Sequence, residues 1–350
     1  MVERVSVLGD NPVVARVGTG DSQPAAAAEI KRARALWEAK DLEGALAVLG
    51  EVVARLSGAS DVAVRRQVAL ALWEQAQLYR ELGMAEQRMA AFAQLTERFA
   101  DSTDPDTANL VTRAFFLHGH DRDQAGDVVE AEALYDESLR RARGASRLLV
   151  RDAARRAAIG KALLLCARGL QREAVDLLDE QIAESADLVA EDPLWLADLL
   201  VAKLQILEIG YEDIQVLEVA DDLIERFGES SDHDLRMQVA RALMYKMISL
   251  ARADPQADRE PLFELLATRF AGEALEALDV WIPAYRRADG VRWLRALTLA
   301  LALRAGVLLR IGREDEAASA YNAMIEELAD ETDELVTTIV AMVRDLLADS

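Results

Sequence analysis

The sequence predicts an all-α fold, built as an array of antiparallel helix hairpins. Three observations lead to this prediction. A turn-like residue pair recurs at nearly constant spacing, and segments far from those turns repeat in step with them. Between the turns lie long helix-forming windows in a chain that is 52% apolar and has only 7 prolines in 350 residues. A repeating hairpin of this length is typical of helical repeat proteins.

The recurring pairs are the predicted corners, where the first helix of a hairpin turns into the second. They are Lys40-Asp41, Gly83-Met84, Gly126-Asp127, Gly169-Leu170, Gly210-Tyr211, Ala253-Asp254 and Gly312-Arg313. Successive corners are 43, 43, 43, 41, 43 and 59 residues apart. The last interval exceeds the period by 16 residues, which predicts an inserted element before the final hairpin.

Segments outside the corners keep the same register. Gln67–Ala69 recurs as Gln238–Ala240, and Arg98–Phe99 recurs at the same offset as Arg269–Phe270. Agreement away from the turns supports a true internal repeat.

The pattern predicts a flexible tail over residues 1–24, followed by one elongated solenoid over 25–350. The predicted hairpins and added elements cover about 25–56, 61–100, 104–143, 148–186, 192–228, 232–271, an insert at 272–290, 291–329 and a capping helix at 332–347. The insert is predicted to hold a short helix over Glu273–Trp281, stopped by Pro283. A strand-forming arm is the alternative interpretation of the Val-rich tail.

Composition limits the classes of function. The net charge of −22 and pI near 4.6 disfavour binding to nucleic acid or to an anionic membrane. The single cysteine, Cys166, lies in an apolar window and is predicted to be a buried thiol. The chain shows neither an apolar run of about 20 residues nor an apolar leader, which predicts a cytoplasmic protein without a membrane span.

The corners carry a further pattern of small and large residues. The third hairpin has Gly119, then Gly126-Asp127, Glu130-Ala131 and Tyr135. The same order appears as Ala162, Gly169, Glu173-Ala174 and Leu178, as Ala305, Gly312, Glu316-Ala317 and Tyr321, and as Ala33, Asp41, Gly44-Ala45 and Leu49. This spacing resembles the tetratricopeptide repeat (TPR). The resemblance implies a right-handed superhelical solenoid of about seven antiparallel hairpins with a C-terminal capping helix.

The sequence also departs from that family. Arg88, Gln215 and Asp258 occupy the position where a small residue is expected, and the period is about nine residues longer than the usual 34. HEAT-like repeats share the longer period, but the Gly and Glu-Ala corners argue against them.

The resemblance implies a concave groove lined by the first helix of each hairpin. The residues placed there in the first three hairpins, called the groove residues below, are Arg34, Trp73, Gln77, Arg80, Arg113, Phe116 and His120, with Trp37 beside them. Trp and Arg are typical anchors of protein interfaces, although packing is the alternative role for Trp37 and Phe116. The corresponding later residues, Ile159, Leu163, Leu204, Leu243 and Met247, are interpreted either as core or as an apolar floor of the groove.

A second candidate surface is an arginine-rich segment. It contains Arg140, Arg141, Arg143, Arg147, Arg151, Arg155 and Arg156. Arginine binds carboxylates and phosphates well, so this patch could hold an anionic partner. The alternative is a solvated corner balanced by acids such as Glu173 or Asp176. The acidic run Glu326–Glu334 is interpreted as solubilising, because it lacks calcium-loop spacing.

Catalysis finds little support in the sequence. His118 and His120 are two residues apart, so on a helix their side chains point to different faces and do not share a metal. No phosphate loop or nucleophile motif is present, and we expect no cofactor, no metal and no enzymatic activity.

These observations favour a non-enzymatic scaffold or adaptor that binds a peptide or helix of another protein in the groove. One alternative is a regulatory peptide-sensing module that acts on a separate effector. Another is a helical-repeat nucleic-acid binder that uses the arginine-rich segment, although the net charge disfavours it. The partner's identity and the oligomeric state are not predicted.

Overall fold

The computed structural model describes residues 19–145, 147–184, 192–210, 212–253, 257–287 and 290–348. Throughout these ranges the chain forms α-helices joined by short turns. The all-α prediction is confirmed, and consecutive helices pack as hairpins. The helices are α1 (Thr19–Glu38), α2 (Leu42–Leu56), α3 (Val62–Glu81), α4 (Ala85–Phe99), α5 (Pro105–Gln124), α6 (Val128–Ala142), α7 (Leu148–Ala167), α8 (Gln171–Glu184), α9 (Pro193–Ile209), α10 (Asp213–Phe227), α11 (His233–Ala253), α12 (Glu260–Arg269), α13 (Ala271–Arg286), α14 (Val291–Arg310), α15 (Glu314–Glu327) and α16 (Glu334–Ala348).

The first helix begins earlier than the sequence suggests. α1 starts at Thr19, so the last six residues of the predicted tail are helical. Pro24 lies inside this helix, where it removes one backbone hydrogen-bond donor near the N-terminus. Residues 1–18, including the valines of the predicted arm, lie outside the described residues.

The chain divides into two compact units, Met1–Ala157 and Ala158–Ser350, where the sequence suggests one elongated domain. In the first unit, α1–α2, α3–α4 and α5–α6 form successive hairpins, and the first helices α1, α3 and α5 pack side by side. Their shared core includes Ile30, Leu49, Leu72 and Phe92, each no more than 2% exposed.

The predicted corners are true helix terminations. Gly83 and Gly126 adopt φ values of 69° and 81°, in the left-handed region that favours glycine. The following amide then returns to the carbonyl five residues earlier, as from Met84 N to Tyr79 O at 2.9 Å. Lys40 adopts a similar φ of 65° without being glycine, whereas Gly210 stays right-handed at −79°.

The internal repeat is visible in side-chain contacts as well. Arg65 and Arg98 both lie over the ring of Phe99, at 5.1 and 5.7 Å from its centroid. Arg236 and Arg269 lie over Phe270 at 4.8 and 5.6 Å in the same way. The contact therefore recurs at the offset seen in the sequence.

Arginines near the ends of second helices also link neighbouring hairpins. Arg98 donates to the carbonyl of Ser57 at 2.8 Å, and Arg141 donates to that of Ala100 at 2.7 Å. These two donors are 43 residues apart, as are the two carbonyls. Each linking arginine thus satisfies a carbonyl at the end of the preceding second helix.

The second unit contains the end of α7 and α8–α16. Its largest core runs from α9 through α16 and includes Leu204, Leu243 and Leu278, each 0% exposed. α16 follows the last hairpin and packs on both α14 and α15, in the position predicted for a capping helix.

The helix in the inserted element is longer than predicted. α13 covers Ala271–Arg286 and continues through Pro283, so the prediction that this proline ends the helix is wrong. Pro283 lies in the last turn, where the helix loses one hydrogen bond, and packing of α13 on both α11 and α14 stabilises the remainder.

Candidate protein-interaction groove

The centre of the predicted groove is a stacked pair on α3 and α5. The guanidinium carbon of Arg113 lies 4.4 Å from the centroid of the Trp73 ring. Trp73 is only 9% exposed, and its ring lies 6.0 Å from that of Phe92 in the core. Trp73 therefore holds Arg113 by a cation–π contact while it is itself fixed by packing.

Arg113 is partly desolvated, and its charge is not neutralised by a hydrogen-bonded acid among the described residues. Burial lowers the pKa of its guanidinium, and the nearby charge of Asp152 opposes that shift. Within the described residues no carboxylate is hydrogen-bonded to Arg113. A half-buried cation with open donors is a favourable position for an incoming acceptor.

A bonded ion pair lies next to this stack. Arg34 on α1 donates to one oxygen of Glu74 on α3, from Nη2 at 2.6 Å and from Nε at 3.0 Å. Both residues line a cleft of about 350 Å³ together with Trp37, Glu38 and Lys40. Trp37 is half-buried and packs against the first-unit core. It therefore contributes to packing and also lines the cleft.

Phe116 and His120 form a second contact on α5. Their ring centroids are 6.4 Å apart, and Phe116 also stacks on the buried Tyr135 at 6.4 Å. Tyr135 fits closely against Gly119, where an added Cβ would lie 3.0 Å from the Tyr135 ring. Phe116 is thus held by packing, while His120 is exposed.

The two remaining groove residues lie on α3. Gln77 is half-buried and Arg80 is exposed. In all, the structure brings Trp73 together with Arg113 and Phe116 together with His120, and it pairs Arg34 with Glu74.

The corresponding residues of the second unit belong to cores. Leu204 and Leu243 are 0% exposed and lie inside the core of α9–α16. Ile159, Leu163 and Met247 are half-buried and pack against core clusters. Of the two interpretations left open by the sequence, core packing therefore describes Leu204 and Leu243.

Most of the arginine-rich segment is engaged within the chain. Arg140 and Arg141 bond Glu137 at 2.8 and 2.6 Å, and Arg147 bonds Asp106 at 2.8 Å. Arg155, which is 7% exposed, and Arg156 both pair with Asp152. Arg151 is half-buried and also interacts within the protein. These acids are not Glu173 or Asp176, which the sequence had suggested.

Arg143 is the exception in that segment. It is exposed, and no ion pair with it occurs among the described residues. It therefore provides a matched surface arginine away from the groove residues.

A buried polar cluster explains one departure from the repeat pattern. Arg88, in the position expected to be small, reaches from α4 to α5 and pairs with Asp121, whose side chain is 4% exposed. Burial raises the pKa of Asp121, and the Arg88 charge opposes this shift. Because the partners are 33 residues apart, the sequence alone did not indicate the pair.

The two neighbouring histidines have different surroundings. His118 is 3% exposed, and its Nε2 accepts a hydrogen bond from Arg122 Nε at 3.3 Å. Burial, together with the Arg122 charge, lowers the pKa of His118 to about 4. His120 points to solvent, and across the described ranges no three His, Cys, Asp or Glu side chains gather as metal ligands would.

A cluster that the sequence analysis missed lies in the second unit. Ring centroids follow one another from Tyr245 to Trp281 at 4.9 Å, to Tyr285 at 6.2 Å and to Trp293 at 5.7 Å. We call these four residues the aromatic ladder. The long interval between the last two corners, with Tyr285-Arg286-Arg287 inside it and Trp293 soon after, was the available signal.

Neither a protein-family model nor a curated protein sequence matches the chain. Among solved structures, it is similar to a tetratricopeptide repeat protein from Parabacteroides merdae, with a TM-score of 0.47 and 12% identity over 93% of this chain and 100% of that one. It is also similar to a putative kinesin light chain with TPR-like repeats from Podosopora anserina (TM-score 0.43, 14% identity, 67% and 99% coverage). A Rap protein complexed with Competence and Sporulation Factor is similar with a TM-score of 0.39 and 11% identity, over 93% of this chain and 87% of that one.

Structures similar to this chain thus include TPR-repeat proteins, and the described helices fit a helical repeat array. None of the described helices is both long and apolar enough to cross a membrane.

Proposed function

We propose that the protein is a non-enzymatic interaction scaffold that binds a peptide or helix of another protein across the groove residues. The surroundings of Arg113 support this proposal. Arg113 is half-buried and stacked on a fixed tryptophan, yet no acid is hydrogen-bonded to it within the described part of the chain.

This arrangement is favourable for binding because it is ordered before the partner arrives. Trp73 is fixed by the core, so little side-chain freedom remains to be lost at the centre of the contact. Trp and Arg together are enriched among the residues that dominate interface energies. The exposed Arg80 and His120 lie on the same set of first helices and supply a polar rim.

The chemistry of Arg113 limits what the partner presents there. Its planar guanidinium accommodates two acceptor atoms at once, as in a carboxylate or the free carbonyls at a helix C-terminus. We expect such an acceptor on the partner, next to an apolar side chain that covers the Trp73 edge.

The test compares variants of the full chain in affinity purification from native lysate with quantitative mass spectrometry. Arg113→Gln and Arg80→Gln should together reduce recovery of specific partners by about tenfold or more, because each removes an interface arginine. Arg143→Gln is the control, since Arg143 is exposed like Arg80 and, like Arg113, has no bonded acid among the described residues.

The proposal fails if the groove double variant recovers all partners at wild-type levels. Loss of partners with Arg143→Gln alone would move the interaction to the arginine-rich segment. Direct titration of the recovered partner against the same variants then measures the change in Kd.

A further inference from the structure

The aromatic ladder concentrates interface-type side chains on the inserted element. Tyr245 is 5% exposed and forms its base, while Trp281, Tyr285 and Trp293 are half-exposed. Aromatic residues make up only 5% of the chain, yet four of them form this one continuous series across α11, α13 and α14. Half-exposed Trp and Tyr side chains in series suit an interaction surface better than a core.

The segment that carries Tyr285 and Trp293 is rich in arginine in an otherwise acidic chain. Residues 285–295 contain Arg286, Arg287, Arg292 and Arg295 and a single acid, Asp289. Arg286 is held by both oxygens of Glu327 at 2.8 Å, and Arg295 by Asp333 at 2.8 Å. Arg287 is exposed and donates only to the backbone carbonyl of Pro283 at 2.9 Å, with no carboxylate partner in the described ranges.

We propose that the aromatic ladder binds a proline-rich segment of another protein, in the extended polyproline II conformation, with an acidic residue beside Arg287. A polyproline II chain rises about 3.1 Å per residue, so prolines two positions apart are separated by about 6 Å. The half-exposed rings follow one another at 6.2 and 5.7 Å. Such chains dock on aromatic-lined surfaces because they lose little conformational entropy on binding.

Charge complementarity adds a second requirement for this ligand. Arg287 lies at the C-terminal end of α13, two residues after Tyr285. An aspartate or glutamate near the prolines can pair with Arg287, for which the described residues provide no acidic partner. The ligand should therefore need both features, prolines for the rings and an acid for Arg287.

Single-stranded nucleic acid is the competing occupant, since bases also stack on aromatic side chains beside arginines. Two observations disfavour it. The protein carries a net charge of −22, and the successive ring planes are inclined by 46°, 55° and 29° rather than parallel. This surface shares no residue with the groove, so the inference does not depend on the proposed function.

The test is a selection of random dodecapeptides displayed on phage against the full-length protein, with counter-selection against Arg287→Glu. We expect enrichment of peptides that combine spaced prolines with an acid and that do not bind the variant. An absence of enrichment, or enriched peptides without prolines, would overturn the proposal.

The enriched peptide is then synthesised and titrated by fluorescence anisotropy against a series of variants. Arg287→Glu and Tyr285→Ala should each weaken binding by at least about tenfold, whereas Tyr285→Phe should retain it. Arg113→Gln is the control for the groove and should leave this peptide's Kd unchanged. Because Arg287 is exposed, its variant keeps the test decisive if Tyr285→Ala does not fold.

An oligothymidylate of the same length is titrated in parallel. Stronger binding of the oligonucleotide than of any selected peptide, with loss in Arg287→Glu, would replace the proposal by nucleic-acid binding. Equal binding of the peptide to wild type and to Arg287→Glu would also overturn it.

Discussion

The first helices of the two units use equivalent positions in opposite ways. Six residues before their corner glycines lie Gln77 and His120 in the first unit and Leu204 in the second. Gln77 is half-buried and His120 is exposed, whereas Leu204 is 0% exposed. The equivalent position of the hairpin thus contributes to an accessible surface in the first unit and to a closed core in the second.

The difference arises from residue type around the helix. α9 has buried residues on every side, including Leu196, Leu199, Leu200 and Val201. α3 and α5 instead place Gln77, Arg80 and Arg113 among their apolar residues. A helix that is apolar all round must be covered, while a polar stripe allows one face to remain accessible.

The largest expected effect comes from truncating the equivalent positions. Leu204→Ala should lower the free energy of unfolding by about 2–5 kcal/mol, because it leaves a cavity in a packed core. Gln77→Ala should change it by less than about 0.5 kcal/mol. Urea denaturation of both variants measures the contrast, and equal losses would show that the two faces are buried alike.

The second prediction concerns acid sensitivity at the buried histidine. The folded state lowers the pKa of His118 from its usual 6.5 to about 4. Its neutral form is therefore favoured in the folded protein, so this stabilisation is complete above pH 6.5 and is lost as the pH falls towards 4. The loss is at most about 3 kcal/mol.

His118→Gln should remove that part of the acid response, whereas the exposed His120→Gln should keep it. Unfolding titrations at pH 7, 5.5 and 4.5 compare the two variants with the wild type. The raised pKa of Asp121 acts in the opposite direction and is common to the wild type and His118→Gln. The charge of His120 lowers that pKa, so in His120→Gln it rises slightly further and adds to the contrast with His118→Gln only through Asp121. An unchanged pH profile in His118→Gln would contradict the assignment.

The third prediction tests the ion pair that replaces a small residue. Arg88→Ala leaves Asp121 buried without its cation, and we expect a loss of about 2 kcal/mol after allowance for the partly exposed arginine. Because Arg88 opposes the upward shift in the pKa of Asp121, its removal raises that pKa further. The stability of the variant should therefore fall as the pH rises from the usual pKa of an aspartate towards the raised pKa of Asp121.

Adding Asp121→Asn to Arg88→Ala should restore much of the lost stability, because the buried charge is then absent. A double-mutant cycle by urea denaturation checks this. Additive losses would mean that the two side chains do not interact.

The smallest expected effect compares two corners. Gly126→Ala should cost about 1 kcal/mol, since its φ of 81° is unfavourable for any side chain. Gly210→Ala should be neutral or slightly stabilising, because Gly210 has a right-handed φ of −79° and nearest contacts of 3.5 Å. Thermal unfolding of both variants measures the difference, and a matching loss at Gly210 would contradict it.

Local periodicity was sufficient to predict much of the fold. The corner glycines and the repeated Arg98–Phe99 and Arg269–Phe270 segments indicated hairpins, and their contacts recur in the structure. Pro283 was misjudged because its cost depends on how the rest of α13 packs, which sequence does not show.

The candidate site was less predictable, because its properties depend on contacts between distant residues. The stacking of Arg113 on Trp73 joins residues 40 positions apart. The sequence placed Arg113 in the groove but did not indicate its partial burial or its contact with Trp73. The aromatic ladder was missed since its members come from three helices, and no single segment contains more than two adjacent rings of the series.

The arginines that link neighbouring hairpins have a consequence for how this chain changes in length. Arg98 and Arg141 make the same contact one period apart, so the first two hairpins present equivalent carbonyl acceptors to the hairpins that follow them. Removing or duplicating a full 43-residue module would leave donors and acceptors matched at the new junction. Within the first three hairpins, gain or loss of one module by recombination would therefore preserve these contacts.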